Sequence, residues 1–136
     1  MNTLVFGAPG SGKTTWAIAH RNRIGGLIYD LDLIAAALIG ETGPGFPHPV
    51  HEDAREIANQ MLTPIIAAAR RCGANLTVIR AAPTIEEVTA LSPDLVVWIR
   101  SDAAERSMGP WAEKRLAPTI RIIEQMGYAV DEVRGR

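Results

Sequence analysis

Cysteine and lysine are scarce in this chain of 136 residues. Cys72 is the single cysteine, which excludes an intramolecular disulfide and any zinc site built from cysteines. Because a free cysteine behaves as a small apolar side chain, we expect Cys72 to lie at the buried end of a helix. Lysine occurs twice, at positions 13 and 114, beside twelve arginines. Lys13 is therefore conspicuous.

Strong charge of one sign and long apolar segments are also missing. The formal net charge is −1, which excludes a global positive field that would draw the chain to nucleic acid or to an anionic membrane. The sequence shows no apolar stretch long enough to span a bilayer and no pattern typical of a signal peptide. We therefore expect a cytoplasmic protein without membrane contact, and the length predicts a single domain over residues 1–136.

Short apolar runs alternate along the chain with segments of helical periodicity. The apolar runs predict buried strands over 3–6, 27–29, 76–79 and 95–99, and an edge strand over 128–133. Helices are predicted over 13–23, 33–39, 50–72, 84–91, 101–106 and 111–126. This alternation predicts an α/β fold with a parallel sheet of about five strands flanked by helices.

Local signals refine this outline. Asp32 is well placed as the N-cap of the second predicted helix, and Pro64 should kink the long third one. Residues 41–49 contain two glycines and three prolines and therefore predict a loop. We expect His20, on the first predicted helix, to be exposed.

The segment Gly7-Ala8-Pro9-Gly10-Ser11-Gly12-Lys13-Thr14 matches the phosphate-binding pattern G-x-x-x-x-G-K-[ST] at every fixed position. The glycines allow backbone N–H groups to turn toward phosphate oxygens, and the helix that starts at Lys13 adds its positive dipole end. In this pattern Lys13 reaches the β- and γ-phosphates and the Thr14 hydroxyl is a ligand of Mg²⁺. The sequence therefore predicts a three-layer P-loop NTPase fold that binds ATP and Mg²⁺. The predicted nucleotide-binding residues are Gly7, Ala8, Pro9, Gly10, Ser11, Gly12, Lys13, Thr14, Thr15 and Arg115.

Two acidic residues, Asp30 and Asp32, follow the second predicted strand. In a parallel α/β sheet, ligands lie beyond the carboxyl ends of the strands, so both residues should lie where an acceptor hydroxyl meets the γ-phosphate. One carboxylate could take the hydroxyl proton while the other helps to hold Mg²⁺. We predict that Asp32 is catalytic and that Asp30 belongs to the metal site. In the alternative interpretation Asp32 is only a helix cap and Asp30 a loop residue.

With these residues the sequence resembles the nucleotide-kinase-like branch of P-loop proteins, especially phage-type polynucleotide kinases. The opening strand, the stretch GAPGSGKTTWA and the strand that ends in acidic residues carry this resemblance. The chain is also similar to small ATP-binding proteins of actinobacteriophages, which share YDLDLIAAAL, a His-containing loop and an R-x-A-P turn, here Arg80 to Pro83. The resemblance implies that Asp32 is the general base.

The function that this resemblance implies is transfer of the γ-phosphate of ATP to a nucleotide, a polynucleotide 5′-hydroxyl or a small molecule. The alternative is an ATP-binding or ATPase module of a larger phage DNA-processing assembly. The guanine-specifying pattern N-K-x-D is absent from the sequence, which argues against a GTPase.

Arg80 departs from the usual P-loop pattern. P-loop proteins commonly carry an acidic residue at the end of the strand beside the P-loop strand, and this sequence has Arg80 there. Arg80 could clamp an acceptor phosphate or the transferring group, and we count it among the catalytic candidates. The alternative is a surface ion pair with Glu86 or Glu87.

Nucleotide kinases cover the reaction with a mobile segment that carries arginines, which excludes water and neutralises the transition state. The candidate segment here is 107–110, which contains Gly109 and Pro110 and follows Arg106. We predict that Arg106 is the lid arginine, with Arg115 behind it. The alternative is that these charges form a solvated helix face.

Overall fold

Five parallel strands form one sheet in the computed structural model, which describes residues 1–40 and 52–135. The strands are β1 (Asn2–Phe6), β2 (Leu27–Asp30), β3 (Leu76–Arg80), β4 (Leu95–Arg100) and β5 (Val130–Arg134). Their spatial order is β2-β3-β1-β4-β5, and every neighbouring pair is parallel. The predicted parallel sheet of five strands is therefore confirmed, with β1 at its centre and the last strand at one edge.

Helices cover both faces of this sheet. They are α1 (Lys13–Ile24), α2 (Leu31–Leu38), α3 (Glu52–Gln60), α4 (Leu62–Cys72), α5 (Ile85–Leu91), α6 (Asp102–Ser107) and α7 (Ala117–Gln125), and a π-helical turn (Ala112–Leu116) precedes the last. Residues of α4, α5 and α7 share one core cluster with one face of the sheet, and α1 packs on the other face. The chain thus has the three layers that the sequence predicts. No helix in the described ranges is long and apolar enough to cross a membrane.

The central strand is apolar from Leu4 to Phe6. Leu4 and Phe6 point into the cluster under α4, α5 and α7, while Val5 packs against Ala17 of α1. Because both faces of a central parallel strand are covered, both favour apolar side chains, and the buried Thr3 has His20 as a hydrogen-bond partner. The result is a rigid platform from whose carboxyl end the next loop emerges.

His20 is buried, at 5% exposure, and the expectation that it is exposed is wrong. It lies one helical turn after Ala17, on the side of α1 that faces the sheet. Its Nε2 is 3.0 Å from Thr3 Oγ1, which satisfies a ring nitrogen in an otherwise apolar layer. Burial, and to a smaller extent Arg23, lower the pKa of His20.

The long helix predicted over 50–72 is two helices, α3 and α4, which meet at Met61. Pro64 is the third residue of α4, and its nitrogen cannot donate to the carbonyl of Gln60. A break just before α4 places this proline in a first turn, where the N–H group has no partner in any case. The predicted loop over 41–49 and the predicted start of the helix at Val50 lie outside the described residues.

The environment of Cys72 and the helix predicted over 111–126 also differ from expectation. Cys72 is exposed, because the chain turns at Gly73 and Ala74 packs against the core instead.

Residues 112–116 form the π-helical turn, and Pro118 follows in the first turn of α7. Proline cannot donate the bond that would continue an α-helix through this point, which explains the change in pitch.

Candidate active site

The loop between β1 and α1 contains three glycines with positive φ angles, Gly7, Gly10 and Gly12. Gly7 has φ 152°, and a Cβ atom there would collide with the carbonyl oxygen of Ile99 on β4. Gly12 precedes α1 with φ 99°, a conformation that other residues rarely adopt. The Gly7 N–H donates to the Ala81 carbonyl at 3.2 Å, which ties the loop to the end of β3. The loop is therefore held between the two neighbours of the central strand.

Several backbone N–H groups at the start of α1 face no protein partner. Those of Lys13, Thr14 and Thr15 donate to no acceptor among the described residues. Such groups at a helix N-terminus, together with the helix dipole, attract anions. Ser11 is buried beside them, and its Oγ has no hydrogen-bond partner in the described part of the chain. The geometry thus provides a cradle for phosphate oxygens.

Lys13 folds back over this loop. Its Nζ donates to the carbonyl oxygens of Gly7 and Ala8, both at 2.9 Å. Burial lowers the pKa of Lys13 below its usual value, while the negative charges of Asp30 and Asp32 act in the opposite direction. An anion in the cradle would strengthen the charged form of the ammonium for the same reason that these carboxylates do.

Asp30 joins the loop to the second strand. The Thr14 hydroxyl donates to Asp30 Oδ2 at 3.0 Å, and Asp30 Oδ1 accepts from the backbone N–H of Asp32 at 3.0 Å. Asp30 is thus the N-cap of α2, which begins at Leu31, and the expectation that Asp32 is the cap is wrong. The extended backbone of Asp30 at the end of β2 lets its side chain reach the N–H group two residues on. The Asp32 carboxylate is consequently not used for capping.

Asp32 instead pairs with Arg55, which no sequence motif indicates. Arg55 Nη1 on α3 lies 2.8 Å from Asp32 Oδ1, and the two side chains are 42% and 49% exposed. Arg55 lies 23 residues further along the chain, so no local pattern connects the two. One signal was available in principle: an arginine on the first helix after the predicted loop can reach the carboxyl end of β2.

Arg80 at the end of β3 pairs with Glu87 of α5. Arg80 Nη2 is 2.7 Å from Glu87 Oε2, and the side chains are only 15% and 19% exposed, so this is not a surface ion pair. Glu87 also accepts from the Thr84 N–H at 2.9 Å, while its own N–H donates to Thr84 Oγ1 at 3.1 Å. This reciprocal capping fixes Glu87, and Glu87 in turn fixes the guanidinium of Arg80.

These groups line one cleft of about 590 Å³ beyond the carboxyl ends of β1, β2 and β3. Its lining residues are Pro9, Gly10, Gly12, Lys13, Thr14, Thr15, Asp30, Leu31, Asp32, Arg55, Ile79, Arg80 and Ala81. The cleft has the size of a typical small-molecule site and combines three cationic side chains with two carboxylates. The structure thus brings together six of the predicted loop residues, the acidic pair and Arg80, whereas Gly7, Ala8 and Ser11 do not line the cleft.

The predicted lid arginines are not part of this cleft. Arg106 is exposed in the last turn of α6, and Arg115 is exposed in the π-helical turn. Neither side chain lines the cleft beside β2. Their roles stay predictions.

A second cleft, of about 490 Å³, lies on the opposite side of the same loop. It shares Gly10, Gly12 and Thr15 with the first cleft, and its wall is formed mainly by Trp16, Ile99, Val133, Arg134 and Gly135. Gly135 donates to the Arg100 carbonyl at 2.7 Å and lies so close to the Ser11 carbonyl that a Cβ atom would collide with it. The indole of Trp16 stacks on His20 with ring centroids 4.8 Å apart.

The donor set near Thr14 fits a magnesium ion that takes most of its ligands from phosphate and water. Within residues 1–40 and 52–135, no group of three or more His, Cys, Asp and Glu side chains could form a protein-only metal site. Mg²⁺ characteristically keeps several waters and uses one or two protein oxygens together with substrate phosphates. Thr14 Oγ1, held by Asp30, is such an oxygen at the edge of the anion cradle.

Comparisons with known proteins extend the description of the fold. No protein-family model matches the sequence, and no curated protein matches it. Solved structures do match, and three of them are each 16% identical over 98% of this chain. A chain from a study of the PezAT chromosomal toxin–antitoxin system of Streptococcus pneumoniae superposes with a TM-score of 0.72. A protein named as a kinase from Chloroflexus aurantiacus gives 0.65, and a sugar kinase from a Janibacter species gives 0.52.

The chain shares the fold of these structures, two of which are named as kinases. It spans 66% of the length of the toxin–antitoxin chain, 84% of the Chloroflexus protein and 83% of the sugar kinase. The loop over residues 7–14 leads into α1, and the cleft beside β2 carries the two carboxylates of Asp30 and Asp32.

Proposed function

We propose that this protein is an ATP-dependent phosphotransferase that moves the γ-phosphoryl group of ATP to a nucleotide, a polynucleotide 5′-hydroxyl or a small molecule. The observation that carries the proposal is the convergence of Lys13, Thr14, Asp30 and Asp32 on one cleft at the carboxyl edge of the sheet. The kinases among the similar structures share the fold, which supports the proposal without identifying the acceptor.

The phosphate loop binds the triphosphate in this proposal. The free N–H groups at the start of α1 hold phosphate oxygens, and Lys13 exchanges its bonds to Gly7 and Ala8 for bonds to the β- and γ-phosphates. Thr14 would hold Mg²⁺, which neutralises phosphate charge when bound, and Asp30 keeps the Thr14 hydroxyl in place. The second cleft, beside Trp16, is where the nucleoside part of ATP has room and an aromatic neighbour.

Asp32 is the proposed general base. Asp30 is engaged by the Thr14 hydroxyl and by the cap of α2, so Asp32, which pairs with the half-exposed Arg55, is the carboxylate that is more accessible to the acceptor. The acceptor oxygen forms a bond to the γ-phosphorus, the bond from that phosphorus to the β,γ-bridging oxygen breaks, and ADP leaves. The acceptor proton passes to the Asp32 carboxylate.

One observation favours a second candidate function, an ATP-binding or ATPase module of a larger assembly. β3 ends in Arg80, where P-loop proteins commonly carry an acidic residue, and Arg80 is held by Glu87. The exposed positions of Arg106 and Arg115 agree with either function, because a lid can close only when substrates are bound.

Product analysis with γ-labelled ATP distinguishes these functions. The protein is incubated with Mg²⁺, labelled ATP and a panel of nucleosides, nucleotides, sugars and 5′-hydroxyl oligonucleotides, and Lys13→Ala is the control. We expect the label to move to one class of acceptor. Hydrolysis that no acceptor changes, and that depends on a partner protein or DNA, would favour the assembly module.

Replacing Arg80 tests whether it contacts the acceptor or the transferring group. We expect Arg80→Ala to raise the acceptor KM or lower kcat about tenfold or more, because a charge-assisted hydrogen bond contributes about 1.5–3 kcal/mol. Steady-state kinetics measure this, and thermal unfolding checks the fold. The double variant Arg80→Met/Glu87→Gln removes both charges and controls for the unpaired Glu87. Wild-type kinetics in Arg80→Ala would reduce Arg80 to a structural partner of α5.

Arg106 is predicted to act as the lid arginine. We expect Arg106→Ala to lower kcat more than it changes ATP affinity, because the contact forms mainly in the transition state. Arg121→Ala, which removes an exposed arginine from α7, is the matched control. Equal kcat values in Arg106→Ala and the control would refute the assignment.

A further inference from the structure

A guanidinium group holds the carboxylate that the proposed reaction needs. Arg55 Nη1 donates to Asp32 Oδ1 at 2.8 Å, and both residues line the cleft beside the phosphate loop. While Arg55 is in place, Oδ1 of Asp32 is occupied by this hydrogen bond before any acceptor arrives.

This pair is easy to open. Its side chains are 42% and 49% exposed, and ion pairs in such surroundings contribute little because water screens them. A guanidinium also has more donors than one carboxylate oxygen uses, and its planar fork matches the paired oxygens of a phosphate or carboxylate group. An anionic group that enters the cleft can therefore compete with Asp32 for Arg55.

The other cations of the cleft are engaged elsewhere. Lys13 lies over the phosphate loop, where the nucleotide phosphates bind in the proposed function. Arg80 is held by Glu87, and that pair is mostly buried. Among the described residues that line the cleft, Arg55 is the cation whose partner is the proposed base.

We propose that Arg55 masks Asp32 in the free protein, and that the acceptor carries an anionic group, phosphate or carboxylate, which draws Arg55 away and releases the base. This inference rests on the proposed function, because it takes Asp32 to be the residue that accepts the hydroxyl proton. Binding of the anion at Arg55 also places the hydroxyl that adjoins it next to Asp32. Without such an acceptor Asp32 stays paired with Arg55. It then activates water poorly, and hydrolysis of ATP is slow.

Anion binding in the absence of turnover tests directly whether Asp32 and an anion compete for Arg55. Inorganic phosphate and acetate are titrated by calorimetry into Lys13→Ala protein, which lacks the ammonium of the phosphate loop. Adding Asp32→Asn should raise the affinity for at least one anion about two- to fivefold, because Arg55 is released from its partner. Adding Arg55→Ala to that double variant should abolish the gain, whereas Arg71→Ala, at an exposed position on α4, should not. The anion that gains more identifies the group on the acceptor.

Turnover supplies a second readout. Arg55→Ala should raise acceptor-free ATP hydrolysis severalfold and raise the KM of a phosphorylated or carboxylated acceptor about tenfold or more, while Arg55→Lys keeps hydrolysis low. The KM of a neutral acceptor should not change. If Arg55 had only a structural role, replacing it would change the KM of all acceptors by the same factor.

The two experiments separate this inference from the proposed function. The inference is wrong if Asp32→Asn does not change the affinity for either anion, or if the gain in affinity persists in the presence of Arg55→Ala. Either result would count even if the protein is an active kinase. A gain that depends on Arg55, in a protein without phosphotransfer, would support the anion site and contradict the proposed function.

Discussion

Lys13→Ala is expected to weaken binding of Mg²⁺–ATP by about 100-fold or more. Hydrogen bonds to charged groups contribute about 1.5–3 kcal/mol each, and the ammonium is proposed to contact two phosphates, so a loss of about 3 kcal/mol corresponds to ~100-fold in affinity. The ammonium already lies over the loop, 2.9 Å from two of its carbonyl oxygens, and needs little movement to reach a bound triphosphate. Isothermal calorimetry measures the change.

The second lysine of the chain provides a matched control. Lys114 is exposed in the π-helical turn and does not line the cleft, so Lys114→Ala should bind ATP as the wild type does. Thermal unfolding of both variants checks that the fold is intact. Equal ATP affinity in wild type and Lys13→Ala would contradict the nucleotide-binding role of the loop.

Asp32→Asn is expected to lower kcat by a factor on the order of 10²–10⁴, which is the usual contribution of a positioned general base. ATP affinity should change little, because the triphosphate contacts are proposed for the loop, and α2 keeps its cap from Asp30. Single-turnover transfer to the identified acceptor measures the chemical step separately from binding.

Asp131→Asn is the matched control. It removes one negative charge at an exposed position on β5, at the far edge of the sheet and away from the cleft. It should transfer phosphate at the wild-type rate. Should Asp32→Asn retain full transfer activity, Asp32 would be a partner of Arg55 without a part in proton transfer.

The sequence was sufficient for the fold because its signals are local and consistent. Apolar runs such as Leu4–Phe6 can only be strands covered on both faces, and each is followed by a helical pattern. The glycines of the loop carry their own conformational signature, and the order of strands and helices leaves few topologies open. The cleft beside β2 follows from the same argument, since carboxyl ends of parallel strands share one edge.

What the sequence could not provide depends on competition between similar side chains and on distant partners. Asp30 and Asp32 are the same residue type two positions apart, and only the backbone at the end of β2 decides which one caps α2. The Asp32–Arg55 pair and the mostly buried Arg80–Glu87 pair each join two separate elements. No periodicity of the sequence therefore indicates them. His20 is buried because Thr3 offers a hydrogen-bond partner across two layers.

The central position of β1 affects the order in which the phosphate loop is completed during folding. Its flanking strands are β3 and β4, and the loop itself is fixed by Ala81 and by the carbonyl of Ile99. Contacts between residues so far apart in sequence form late, because the entropy of closing the intervening chain must be overcome first. During synthesis the loop therefore emerges before β3 and β4 but acquires its shape only after both strands have followed. If the loop binds nucleotide as proposed, the nucleotide can stabilise only the completed fold by mass action, because the loop lacks its shape on a shorter nascent chain.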